Sequence, residues 1–181
     1  MNRSERSRRP RPPLVAATLD EVALTYVARF ATSRAKLATY LRRKLKERGW
    51  EGEADPPVAQ IVERLSGLGY VDDAAFAASK ARSLRSRGYG NRRVSSALYA
   101  AGIGEEERAP ALDCSAEETI VAALHFARRR RFGPFAAGDA DRVTRQKWLA
   151  AMLRAGHGLD LSRQIILLPP GIEPDPQQLM R

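Results

Sequence analysis

The side chains best equipped to do chemistry in this sequence are its cations, and their spacing gathers them on helix faces. At about 100° per residue, Lys36, Arg42, Arg43 and Lys46 fall on the side of a helix away from Leu37, Leu41 and Leu45. Arg82 and Arg85 stand opposite Phe76 and Leu84 in the same way; Arg92 and Arg93 come next, and Arg128 to Arg131 form a run. Between Ala74 and Gly104 there is no acidic residue, although Lys80, Arg82, Arg85, Arg87, Arg92 and Arg93 all lie there. A surface that only confers solubility ordinarily mixes both signs. The pattern therefore reads as a face for a polyanion, since each cation that meets a phosphate releases a condensed counterion. A merely solvated helix face is the plainer alternative. Tyr89, flanked by Gly88 and Gly90 and near Arg87, Arg92 and Arg93, has two readings: a ring stacked on a base, or the commoner ring packed over a helix end.

Catalytic chemistry finds little support. The two histidines, His125 between Leu124 and Phe126 and His157 after Gly156, have no partner at a spacing that a metal site or nucleophilic triad needs. His125 reads as a core or boundary residue. Asp72–Asp73 and Glu117–Glu118 are acidic pairs at helix starts, where capping and the helix dipole account for them. Gly88 and Gly90 suit turn geometry that lets Asn91 cap the next helix, and no phosphate-loop or dinucleotide fingerprint occurs. The expectation is a non-enzymatic protein with no cofactor and no metal.

The formal charge of +10 is unevenly spread, since residues 1–50 hold 13 Lys/Arg and 4 Asp/Glu. Most of the long-range field thus originates in the first part of the chain, and a pI near 10.4 favours nucleic acid or an acidic protein face over a membrane surface. No run approaches the roughly 18–20 apolar residues that span a bilayer, and the basic stretch Met1 to Arg11 leads into Pro12–Pro13 rather than a signal-peptide core. One cysteine, Cys114, excludes an internal disulfide and suits a reducing compartment. A cytoplasmic monomer is expected.

The elements that must position these cations are helices, because nearly every apolar pattern has helical period. Residues 1–14 mix Arg, Ser and Pro without periodicity and read as a disordered basic arm, and the proline-rich 169–181 as a disordered tail. Between them, Thr18 with Glu21 has the form of a capping box for a helix reaching about Ala31. Ser33 caps a second helix that Gly49 ends; Asp55–Pro56 opens a third. Asp72 caps a fourth, stopping at Gly88, and Asn91 a fifth, ended by Gly102. A weak sixth covers Glu105 to Leu112, with Pro110 inside it. Ser115 with Glu118 is a second capping box, opening a helix to about Arg131. After a loop, Asp139 or Asp141 begins an eighth helix to Gly156, and Leu161 to Leu168 forms a ninth.

The helices repeat. Leu41, Leu45 and Gly49 match Val94, Leu98 and Gly102, then Trp148, Met152 and Gly156, with glycines 53 and 54 residues apart. The simplest architecture is all-α, with three tandem three-helix repeats at 15–69, 70–113 and 114–168. Leu37, Leu41, Leu45, Phe76, Leu84, Val94 and Leu98 hold its scaffold.

The sequence also resembles a known family. Tyr70-Val-Asp-Asp-Ala-Ala-Phe-Ala77 is similar to the "(L/Y)-(I/L)-D-D-x-x-F-A" segment of RecX, the bacterial recombination regulators, and Arg87-Gly-Tyr-Gly-Asn-Arg-Arg-Val94 to its "(R/K)-x-G-x-x-(R/K)-(I/V)" continuation. Ser33-Arg-Ala-Lys-Leu37 with Leu41, Leu45 and Gly49 resembles its first-repeat helix, with Lys36 where the family usually has Glu. The resemblance covers about residues 18–168. It implies an elongated, curved array of three-helix repeats that binds the RecA recombinase and its single-stranded-DNA filament, with duplex DNA as a further ligand, and inhibits filament growth, strand exchange and co-protease activity. Lys36, Arg42, Arg43, Lys46, Arg82, Arg85, Tyr89, Arg92, Arg93, Arg128 and Arg129 are the candidate DNA- or RecA-binding residues. The alternative is a DNA-binding protein without a recombinase partner, either sequence-independent or of helix-turn-helix type, for which the fourth helix, the Gly88 turn and the fifth helix superficially pass.

Overall fold

The computed structural model describes residues 12–172 and 174–180. Among them the chain folds as nine α-helices and two 3₁₀ turns, with no β-strand: α1 (Ala16–Val27), α2 (Arg34–Arg48), α3 (Val58–Gly67), α4 (Asp73–Ser86), α5 (Asn91–Tyr99), α6 (Glu105–Leu112), α7 (Ala116–Arg130), α8 (Arg142–Arg154) and α9 (Leu159–Leu167). The all-α class expected from periodicity is the class observed. The helices group into two compact units divided between Asp73 and Ala74. The second helix of each triplet, α2, α5 and α8, is succeeded by a glycine at positive φ, Gly49 (82°), Gly102 (72°) and Gly156 (96°), so the repeat read from spacing is a repeat of helix termination.

In the first unit, Leu19 and Ala23 of α1, Leu37 and Leu41 of α2, and Val58, Ile61, Val62 and Leu65 of α3 share one core. Leu14, assigned by composition to the arm, belongs to this core instead. It is fully buried, its N–H donates to the Gly49 carbonyl at 3.0 Å, and its carbonyl accepts from the Glu51 N–H at 2.9 Å. The Pro12 carbonyl accepts from Nε and Nη2 of Arg48 at 3.0 and 2.9 Å. The rest of the expected arm, 1–11, lies outside the described residues.

Anchoring Leu14 moves the first helix start. Val15, held extended, is the N-cap, and Thr18 sits three residues on, its hydroxyl accepting from the Val15 N–H at 3.0 Å. Thr18 is therefore the answering member of the box and not its cap, and the helix ends at Val27, short of Ala31. Ser33 caps α2 as expected, accepting from the Lys36 N–H at 3.3 Å. Asp55 does not open α3. Pro57 is the N-cap, because a residue that precedes proline, as Pro56 does, is held out of helical geometry.

The second unit carries two apolar clusters. Ala77, Ala81, Val94, Leu98, Ala101, Ile103 and Ala111 bind α4, α5 and α6, while Ala123, Phe126, Ala127, Phe132, Met152, Ala155, Ile165 and Ile166 bind α7, α8 and α9. The capping box at Ser115 forms, with the Glu118 N–H on the serine oxygen at 3.0 Å and the Ser115 N–H on the glutamate at 2.9 Å. Asp141, not Asp139, caps α8, accepting from the Thr144 N–H at 2.7 Å; that bond holds its carboxyl below the usual range. The α9 helix begins two residues before Leu161, with Gly158 as its N-cap. The expected tail is structured in part: Pro176–Met180 forms a 3₁₀ turn, Pro174 is buried, and Leu179 packs on the α7–α9 cluster. One apolar side chain in a proline-rich segment found a site that composition does not reveal.

Two corrections concern histidine and asparagine. His125 is exposed, because α7 buries Ile120, Ala122, Ala123, Phe126 and Ala127 and leaves position 125 on its outer side. Asn91 is not the cap of α5; Gly90 is. The Asn91 amide instead donates to the Leu112 carbonyl at 3.2 Å and to Cys114 Sγ at 3.1 Å, tying the start of α5 to the end of α6.

Candidate nucleic-acid and protein interface

In the first unit, Leu37 and Leu41 pin one side of α2 into the core, and this turns Lys36, Arg42, Arg43 and Lys46 outward, all exposed. Arg43 lies 3.6 Å from Glu47 and 5.4 Å from the Tyr40 ring, so its charge is shared locally. Arg42 and Lys46 make no ion pair with a described residue and keep their full charge for a partner. Beside them is a feature that periodicity does not mark. Tyr40 stacks on Tyr26 at 4.0 Å, Tyr26 meets Phe30 at 5.3 Å, and Phe30 is 56% exposed. An exposed aromatic ring supported by Tyr26 offers a π-face of the kind on which bases can stack. Phe30 falls between helices, where no apolar spacing singles it out; the only signal was an aromatic residue beside Arg29 in a polar connection.

In the second unit the structure separates the candidates. Arg82, Arg92 and Arg93 are exposed, without an ion pair to any described residue. Arg85, projected onto the same face, is half-buried: its Nη2 donates to Asn91 Oδ1 and to the Ala111 carbonyl, both at 3.0 Å, and its Nε lies 3.3 Å from Asn91 Oδ1. Arg85 thus bolts α4 to α5 and α6. Tyr89 is half-buried against the α7–α9 cluster, with the Arg129 guanidinium 5.9 Å above its ring. It packs over a helix end, as such a tyrosine more often does. Arg128 lies 4.7 Å from the Phe135 ring and Arg129 also 5.7 Å from Phe126, so both lie over aromatic surface with their charge at the exposed rim.

The start of α5 could in principle hold a phosphate on its free amides, but those of Gly90 and Arg92 are taken. The Gly90 N–H donates to the Ala155 carbonyl at 2.9 Å and the Arg92 N–H to the Gly156 carbonyl at 3.3 Å. The C-terminal carbonyls of α8 therefore run into the N-terminus of α5, negative dipole end to positive. The contact requires bare backbone on both sides: a Cβ on Gly90 would stand 2.3 Å from the Gly156 oxygen, and one on Gly156 would stand 2.4 Å from the Arg93 nitrogen. An anion near this helix end meets the exposed side chains of Arg92 and Arg93. Among the described residues no group of three or more His, Cys, Asp or Glu is placed to hold a metal ion, and no helix is long and apolar enough to cross a membrane.

Comparison with known proteins bears on the family and on the helix triplets. The family model of the second three-helix domain of RecX matches residues 72–112, the α4–α6 triplet. The chain is 33% identical over 165 residues to the regulatory protein RecX of Myxococcus xanthus, covering 86% of this chain and 88% of that protein. It is 38% identical over 120 residues to the regulatory protein RecX of Xanthomonas campestris, covering 66% and 69%. Among solved structures it is similar to RecX from Lactobacillus salivarius, with a TM-score of 0.66 at 19% identity over 83% of this chain and 94% of that one. A further structure of regulatory protein RecX gives 0.63 at 24% identity over 83% and 70%. With its residues, its helix triplets and its relatives in agreement, the chain belongs to the RecX family of regulatory proteins.

Proposed function

We propose that the protein binds the RecA recombinase and its filament on single-stranded DNA in the cytoplasm, and restrains filament growth, strand exchange and co-protease activity by occupancy, without catalysis. The observation that carries this reading is the set of exposed cations free of ion pairs to described residues, Arg42 and Lys46 in the first unit and Arg82, Arg92 and Arg93 in the second, together with the exposed ring of Phe30. Cations supply salt-dependent attraction to a phosphate backbone, and an exposed ring supplies the sequence-tolerant stacking that single strands offer and duplexes withhold. Family membership supports a regulatory role, and the recombinase is the partner that this role suggests. Lys36, Arg43, Arg128 and Arg129 extend the charge, whereas Arg85 and Tyr89 serve the interface by fixing the helices that present it.

The test is to add the protein to RecA filaments on single-stranded DNA and monitor ATP hydrolysis and filament length. Both fall if the reading is right. No change at several-fold excess over filament ends and sites refutes it. Footprinting on duplex DNA addresses the helix-turn-helix alternative, which the structure favours less: α5 has nine residues, and after Arg92 and Arg93 its exposed Ser96 donates back to the Arg92 carbonyl at 2.9 Å, leaving little to read base edges.

A further inference from the structure

We propose that the cleft between α8 and α9 is a docking site for an acidic peptide segment bearing an apolar anchor residue, carried by a partner protein. The cleft has a volume of about 390 Å³, at the lower end of the range for small binding sites and suited to an anchor side chain rather than a folded surface. Leu149, Ile166 and Leu167 form its apolar floor, and Arg142 and Arg145 from α8 with Arg163 from α9 stand around it. Leu167 is 65% exposed although α9 buries its neighbours Ile165 and Ile166. None of the three guanidinium groups makes a hydrogen bond or ion pair with a described residue, and the lining contains no carboxylate. The adjacent Asp141 is engaged as the α8 cap.

The chemistry of the lining selects the occupant. Three forked donors around an aliphatic floor complement carboxylates that flank one apolar side chain, the pattern of a short segment that anchors in a groove. Nucleic acid would satisfy the arginines but not the floor, since no aromatic ring lines the cleft for a base to stack on. Residues 1–11 of this chain, with five arginines against one glutamate, would be repelled. The site stands apart from the recombinase reading, because Arg42, Lys46, Arg82, Arg92, Arg93 and Phe30 lie outside it.

The full chain is titrated against a fluorescein-labelled synthetic peptide rich in Asp and Glu with a central Leu-Phe pair. A second peptide with that pair replaced by serines and an oligothymidylate of equal charge serve as comparators, all read by fluorescence anisotropy. The anchored peptide binds, the serine peptide binds at least about tenfold more weakly, and Arg163→Glu and Leu167→Asp each weaken the anchored peptide about tenfold. Both positions are exposed, and matched circular dichroism melts show that the variants fold. Equal binding of the two peptides, binding of neither, or indifference to Leu167→Asp overturns the proposal. So does displacement of the peptide by oligothymidylate whose own affinity falls in both variants, which makes the cleft a nucleic-acid surface. Self-association in sedimentation that Leu167→Asp abolishes also overturns it, in favour of a second copy. Every such failure leaves the filament experiment able to succeed.

Discussion

The Nε2 atom of His157 lies 3.0 Å from the carbonyl oxygen of Gly88. A carbonyl only accepts, so Nε2 carries the proton and Nδ1 is the bare nitrogen, buried without a partner. Burial pushes the imidazole pKa below its ordinary value, only partly opposed by the Gly88 bond. The ring is only 1% exposed and 5.7 Å from that of Phe126.

This geometry makes stability depend on pH in a stated direction. A histidine whose folded pKa is depressed contributes stability in full above its unfolded value of about 6.5, and the contribution is lost as pH falls below that value toward the folded pKa. Denaturant unfolding of the wild type is expected to weaken between pH 7 and mildly acidic pH. His157→Gln, which can still donate to Gly88 but does not titrate, flattens that limb while lowering stability at neutral pH. A variant with the same slope as wild type assigns the slope to other groups.

Gly90→Ala and Gly156→Ala both meet backbone that cannot retreat, and Gly156 adds a φ of 96°. Each is expected to lower unfolding stability by at least about 2 kcal/mol. Gly138→Ala, with nothing within 4 Å of the new methyl group, stays within about 0.5 kcal/mol of wild type. Urea midpoints at equal m-value give the comparison.

Arg82 and Arg85 are three residues apart and are expected to respond oppositely. Arg85→Ala strands Asn91 Oδ1 and the Ala111 carbonyl and costs about 1–3 kcal/mol of stability. Arg82→Glu leaves the melting temperature unchanged, weakens binding to single-stranded DNA and flattens its salt dependence. A reversal of both at once would mix the two effects, so the single variants are the informative ones.

Phe30→Ala removes the exposed ring while leaving Tyr26 and Tyr40 stacked. If Phe30 holds a base, affinity for oligothymidylate falls by about 1–3 kcal/mol with an unchanged salt slope, because no charge is lost. Arg42→Ala shows the converse, a slope reduced by about 0.7 on a single strand. Equal affinity of Phe30→Ala and wild type removes stacking from the interface.

The helices were legible because the features that specify them are local: Ser33, Ser115 and Asp141 cap the helices that start beside them, and Gly49, Gly102 and Gly156 end the helices that reach them. What misled was non-local. Leu14 reads as arm until its pairing with Gly49 and Glu51 is seen, and Leu179 reads as tail until it meets the α7–α9 cluster. The same division runs through the interface. Helical projection put Arg42, Lys46 and Arg82 outward correctly, yet it could not foresee that Asn91, six residues on, would draw Arg85 inward. Phe30, exposed between helices, leaves no periodic trace in the sequence.

The meeting of α8 carbonyls with α5 amides bears on what a repeat is in this chain. Spacing divides the sequence into thirds, as successive duplication would. The backbone bonds from Gly90 and Arg92 to Ala155 and Gly156 cross that division and need glycine on each side. The α4–α6 and α7–α9 triplets are thereby coupled through their backbones, and a fragment ending near residue 113 would expose the Gly90 and Arg92 amides at the start of α5.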